Sequence, residues 1–276
     1  MTTTVEVEEA LRRVGREDDS RIDLAEAALM LAAFDRPGAP VDTYREHLGR
    51  LAVETAEAVS GANSLEEKVD AVSAVLFERH GYRGNSKTYD DMQNANLMRV
   101  IDRRKGLPVA LGILYIHVAR AQGWRCNGTN FPAHFLVRLE SDDAVTMVDP
   151  FHGGQELDRD ALGRRLESSM GEGAELEPEH CAVVGSRAVL IRLQNNIKLR
   201  AIQDGDLARA AEILHTMVLI APDHAAIRCE LAALRARQGE VKAAIRLLED
   251  FVVETADPSA RDSAAAYLVR LRSRLH

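Results

Sequence analysis

The segment Arg103–Gly154, RRKGLPVALGILYIHVARAQGWRCNGTNFPAHFLVRLESDDAVTMVDPFHGG, decides the fold. Leu111, Leu114, Tyr115, Val118 and Ala119 recur at spacings of three and four, which predicts a helix begun by Pro108 near its first turn and stopped by Gly123. Beyond Gly123 the period shortens. Phe135, Val137 and Leu139 alternate with His134, Leu136 and Arg138, and a second strand, Val145 to Asp149, follows the polar turn Ser141–Asp142–Asp143–Ala144.

A hairpin with an even-numbered loop at that turn pairs Leu136 with Asp149 and sets His134 and Asp149 diagonally on one face, within side-chain reach. A histidine oriented by a carboxylate is the base half of a nucleophilic triad, the carboxylate fixing the tautomer and stabilising the imidazolium. The same residues also suit a partly buried structural pair, and periodicity alone leaves both readings open.

The run NANLMRVIDRRKGLPVAL, the strand FPAHFLVR and the segment VDPFHGG resemble the bacterial SirB family, a transglutaminase-like domain followed by tetratricopeptide repeats. The resemblance implies an α+β, papain-like fold: a small antiparallel sheet packed on a core helix, then an all-α repeat domain. It also implies a triad in which a cysteine at the start of the core helix attacks an acyl carbon, with a His and an Asp on adjacent strands. His134 and Asp149 match the last two members. The nucleophile is where this chain departs, because its position falls near Pro108, Val109 or Ala110, none of which can attack anything. A helix N-terminus lowers a thiol's pKa, so here the location is kept and the chemistry removed. Cys126, on the first strand, approaches His134 only if the strands pair suitably; otherwise it is a small core residue.

The 276 residues suffice for two domains, each with a core, and the boundary falls in the acidic, glycine-containing stretch GEGAELEPEH: residues 1–180 with a helical N-terminal part, then 187–276. A net charge of −8 argues against nucleic acid as a partner, since phosphate neutralisation needs a basic surface. The cluster Arg103–Arg104–Lys105 is too short to change that, reading as a solvated helix end or a small anion contact. No apolar run has the length of a membrane span and the N-terminus lacks a basic region before an apolar core, so a cytoplasmic protein without membrane partners is expected. Cys126, Cys181 and Cys229 are odd in number and far apart, in keeping with free thiols in a reducing compartment.

Residues 1 to about 80 read as packing helices: Val5 to Val14, Ile22 to Phe34, one capped by Asp42 or Thr43, and one capped by Asn63 or Ser64. HGYRGNSKTYDDMQNAN, residues 80–96, is irregular and polar. It suits either a cleft wall in which Asn94, with Asn96, Arg103 and Arg104 nearby, donates toward an oxyanion, or a loop whose Asn and Asp residues cap the next helix. His80, Asp90, Asp91, Asp149 and His152 invite a metal reading, but their spacings are scattered and match no tight motif; neither metal nor cofactor is expected.

GDLARAAEIL from Gly205 recurs as GEVKAAIRLL from Gly239, a separation of 34, the tetratricopeptide period. The predicted helix pairs are 189–203 with 207–220 and 225–238 with 241–255, then a capping helix over 259–275. Such units bind a protein or peptide in the groove of their first helices, where Asn195, Asn196 and Lys198 present polar groups, although two units also suit a purely structural extension. Two functions follow: a non-catalytic transglutaminase-like protein acting as a binding or scaffold module, or a hydrolase or acyltransferase in which His134 and Asp149 work with activated water or Cys126. The missing nucleophile favours the first.

Overall fold

The computed structural model describes residues 3–59, 61 and 64–273. The chain divides into two compact units, one formed by the segment ending at Val7 with Asp18–Leu193, the other by Glu8–Glu17 with the chain from Gln194 onward. Helix α1 (Thr4–Arg16) is followed by α2 (Leu24–Phe34), capped by the Asp23 carboxylate, which accepts from the amides of Ala25 and Glu26. Helix α3 (Val41–Ala58) is capped two residues before Asp42 and three before Thr43, the expected caps, because Pro40 takes the cap position and Asp42 and Thr43 fall in the first turn. Ser64 and Glu67 form a capping box for α4 (Leu65–Ser73); Asn63, the other candidate, lies outside the described residues.

Strand β1 (Arg83–Gly84) pairs in parallel with β2 (Lys105–Gly106), bracketing α5 (Leu97–Arg103). Helix α6 (Pro108–Ala121) follows the predicted bounds closely and is buried on nearly every side. Its one half-buried polar side chain in mid-helix, His117, bonds the Leu48 carbonyl at 3.2 Å.

Against α6 packs a five-stranded antiparallel sheet of β3 (Arg125–Thr129), β4 (Val137–Glu140), β5 (Val145–Asp149), β6 (Gln155–Leu157) and β7 (Val183–Val184), in the order β6-β5-β4-β3-β7. Val137 faces Val148, the register that puts Leu136 level with Asp149 as the hairpin rule requires. The strand itself is shorter than its pattern: His134 precedes β4, in a turn where Ala133 has φ +55° and the His134 amide donates to the Pro132 carbonyl at 2.7 Å. Proline's fixed φ and the left-handed alanine bend the chain out of extended geometry, and the ladder resumes where the Thr129 amide reaches the Leu136 carbonyl at 3.0 Å.

Both faces of the sheet are covered. Phe135 wedges between α6 and β3, where glycines are required: a Cβ on Gly112 or Gly128 would lie 2.3 or 2.6 Å from its ring. Leu136, Met147 and Leu157 face the other way and pack with Leu162 and Leu166 of α7 (Arg159–Met170). That second cover explains why Leu136, on the polar side of the sequence alternation, is apolar.

The chain continues through α8 (Ser186–Gln203), α9 (Leu207–Ile220), α10 (Ala225–Arg237), α11 (Val241–Glu254) and α12 (Pro258–Arg272). These reproduce the two predicted pairs and the capping helix, apart from the predicted end of the last at Leu275, which lies outside the described residues. Gly205 and Gly239 end α8 and α10 at φ +78° and +85°, as helix stops of this kind do. Ala232, Ala244, Leu248, Phe251, Ala264 and Leu268 form the core between α10, α11 and α12.

Candidate functional site

Strand β5 delivers Asp149, fully buried, to the end of the sheet, where its carboxylate accepts three hydrogen bonds and forms an ion pair. Oδ1 takes His134 Nε2 and the Phe151 amide, each at 3.0 Å. Oδ2 takes His152 Nδ1 at 2.7 Å and forms an ion pair with the Arg165 guanidinium, also at 2.7 Å. Burial alone would raise the carboxyl's pKa, but the hydrogen bonds from His134 and His152 and the charge of Arg165 outweigh it and hold the group at about 2. Asp149 is therefore a fixed anion on which two imidazoles converge.

His134 is set by its backbone as much as by its ring. Arg192 reaches the His134 carbonyl at 2.7 Å and the Phe131 carbonyl at 3.3 Å, clamping the turn before β4. With Nε2–H given to the carboxylate, Nδ1 keeps its lone pair. The ring stands edge-on to Phe151, 6.2 Å between centroids, and 5.9 Å from His152; Tyr89 also packs edge-on to Phe151, at 5.9 Å. Phe151 in turn lies over Gly84, where a Cβ would meet its ring at 2.6 Å.

Pro108, Val109 and Ala110 open α6, all three buried, and offer neither sulfur nor hydroxyl. Cys126 is not brought to His134. It lies opposite Leu139, two positions beyond the start of β4, a stretch of about 7 Å at ~3.3 Å per residue, and His134 is further back still. Its side chain is sealed in the core and burial pushes its thiol far up, away from thiolate.

The polar loop before α5 is extensively hydrogen-bonded within itself and to its neighbours. Asn94 is wholly buried and engaged: Oδ1 accepts from Asn85 and Arg103, and Nδ2 donates to the Thr88 and Tyr89 carbonyls. Asn96 caps α5 through the Arg99 amide and reaches the Ala32 carbonyl. Arg103 pairs with Asp91 at 3.2 Å. Arg104, left-handed at φ +56°, stacks on Tyr82 and bonds Tyr82 and His47. These hydrogen bonds hold the loop that carries Tyr89. Of the scattered metal candidates, His80 bonds Glu54 at 2.8 Å, while Asp149 and His152 join His134. Sequence reasoning missed Arg165, whose place depends on how α7 covers the sheet and leaves no local signal; Phe151 was visible only as a neighbour of Asp149, and His152 only as one of the scattered metal candidates.

The model of the transglutaminase-like superfamily matches residues 42–195, which include all of this site, and a tetratricopeptide-repeat model matches residues 197–274. The chain belongs to the transglutaminase-like superfamily and carries a tetratricopeptide-repeat region after that domain. It is 30% identical over 209 residues to a UPF0162 protein of Xylella fastidiosa strain 9a5c, covering 75% of this chain and 74% of that one. A second UPF0162 protein, from Xylella fastidiosa strain Temecula1, is 32% identical over 183 residues; the match spans 65% of each chain, just under two thirds. F-box only protein 21 of Mus musculus is 30% identical over 134 residues, 47% of this chain and 21% of that protein.

Proposed function

We propose that this chain is a non-catalytic transglutaminase-like protein of the SirB type, working with its repeats as a protein- or peptide-binding scaffold. The observation that carries the reading is the start of α6, where Pro108, Val109 and Ala110 stand, buried, in place of a nucleophile. The sealed Cys126 supports it. On the repeat side the groove residues are partly committed: Lys198 pairs with Glu230 at 2.7 Å, tying α8 to α10, and Arg200 donates to the Asn196 carbonyl. The partner's contacts therefore fall on the remaining surface of the repeat helices.

The test has two arms. The purified chain, mixed with a glutamine-containing peptide and a primary amine, yields no cross-linked product and no acyl adduct on Cys126 by mass spectrometry. A displayed peptide library panned against it yields binders whose affinity is at least tenfold weaker for Asn195→Glu, a change at a half-buried groove position outside the Lys198–Glu230 pair. Turnover abolished by His134→Ala would instead establish the second reading, supported by the His134–Asp149 pair, in which His134 activates a water molecule. General-base help of that kind is worth about 10²–10⁴-fold.

A further inference from the structure

We propose that His134, Asp149 and His152 form a binding site for a divalent first-row transition-metal ion of the zinc or iron(II) class. The three residues each offer a ligand atom, and these atoms all lie within 4.8 Å of one another. Two imidazole nitrogens and a carboxylate are the donor set that such ions take with open positions left over for water. The carboxylate is approached from both sides: His134 Nε2 is 3.0 Å from Oδ1 and His152 Nδ1 is 2.7 Å from Oδ2. At metal–ligand bonds of ~2.1 Å, neighbouring ligands lie about 3.0 Å apart in an octahedral shell and about 3.4 Å in a tetrahedral one; the two His–carboxylate edges are already close to this, and the remaining edge, within 4.8 Å, closes as the half-exposed His152 ring swings onto the ion.

Each neutral imidazole moves its proton to its other ring nitrogen, freeing the lone pair that faces Asp149. The buried carboxylate remains oriented by the Phe151 amide and by Arg165, the outer-shell support that metal carboxylates characteristically have. The Arg165 charge opposes the ion, which sets the expected affinity at micromolar and not tighter. Entry is open, because the His152 side chain is 50% exposed. His134 and His152 are 18 positions apart in the chain, so no sequence spacing announces the site.

This inference is independent of whether the chain catalyses anything. Protein stripped with a chelator is titrated with Co²⁺ alone, followed by its visible absorption, and with Zn²⁺ alone by calorimetry. The expected result is one ion per chain at micromolar Kd, Zn²⁺ displacing Co²⁺, and at least a tenfold loss of affinity in both His134→Ala and His152→Ala. Because His152 is half-exposed, its variant folds, as far-UV circular dichroism will verify. No binding at about 100 μM ion, roughly a hundredfold above the expected Kd, or equal affinity in the His152→Ala chain, overturns the proposal.

Discussion

Asp149 concentrates the consequences of a single side chain. Three hydrogen-bond donors and the Arg165 ion pair depend on it, so Asp149→Ala leaves a mostly covered guanidinium without its counter-charge and two imidazoles without their acceptor. The expected loss is about 3–5 kcal/mol, read as a large drop in thermal midpoint, whereas His152→Ala at the half-exposed rim costs far less. His47 provides the pH dependence. Burial, with the Arg104 charge beside it, lowers its pKa from 6.5 to about 4. Nε2 receives Arg104 at 2.7 Å and lies 2.8 Å from the Tyr82 hydroxyl, a geometry that only the neutral ring accepts. The unfolded chain therefore binds the proton more readily than the folded one, and stability falls as pH drops from about 6.5 toward 4, by on the order of 2 kcal/mol. Chemical denaturation at a series of pH values checks this, and His47→Gln flattens the slope.

Among the elements, the contact of α6 with the sheet is the tightest. Gly112→Ala improves helix propensity by about 1 kcal/mol, yet its methyl group would lie 2.3 Å from the Phe135 ring, so overpacking of about 1–3 kcal/mol wins and the variant is less stable. Recovery in the double variant Gly112→Ala with Phe135→Leu identifies the clash as the cause. Helix α8 depends on a residue far away in sequence: the Asp19 carboxylate accepts from the amides of Ser186 and Arg187, each at 2.8 Å. Asp19→Ala removes that cap and costs about 1–2 kcal/mol by urea denaturation. The helix periods and the Pro108, Gly123, Gly205 and Gly239 boundaries were legible because they are local signals. The shortened start of β4 was not, since the alternation of Phe135, Val137 and Leu139 continues through a turn that Ala133 makes at φ +55°.

At the scale of the whole molecule, the chain has two compact units and a single tryptophan, Trp124, in the first of them. Its fluorescence reports that unit alone, while far-UV circular dichroism sums the helices of both. The two unfolding curves are expected not to coincide; superimposable curves would mean that the units unfold as one. No described helix is long and apolar enough to cross a membrane. The sequence by itself determined the order of the elements, the hairpin register that levels Leu136 with Asp149, the repeat period of 34 and the absence of a nucleophile at Pro108–Ala110, because periodicity, turn chemistry and residue identity are local. Only the tertiary structure decided that Asn94 and Arg103 brace a loop, that Cys126 is sealed in the core, and that His152 and Arg165 join His134 on one carboxylate. Those outcomes depend on how α6, α7 and the sheet close around a buried charge, and burial is a property of the packed chain.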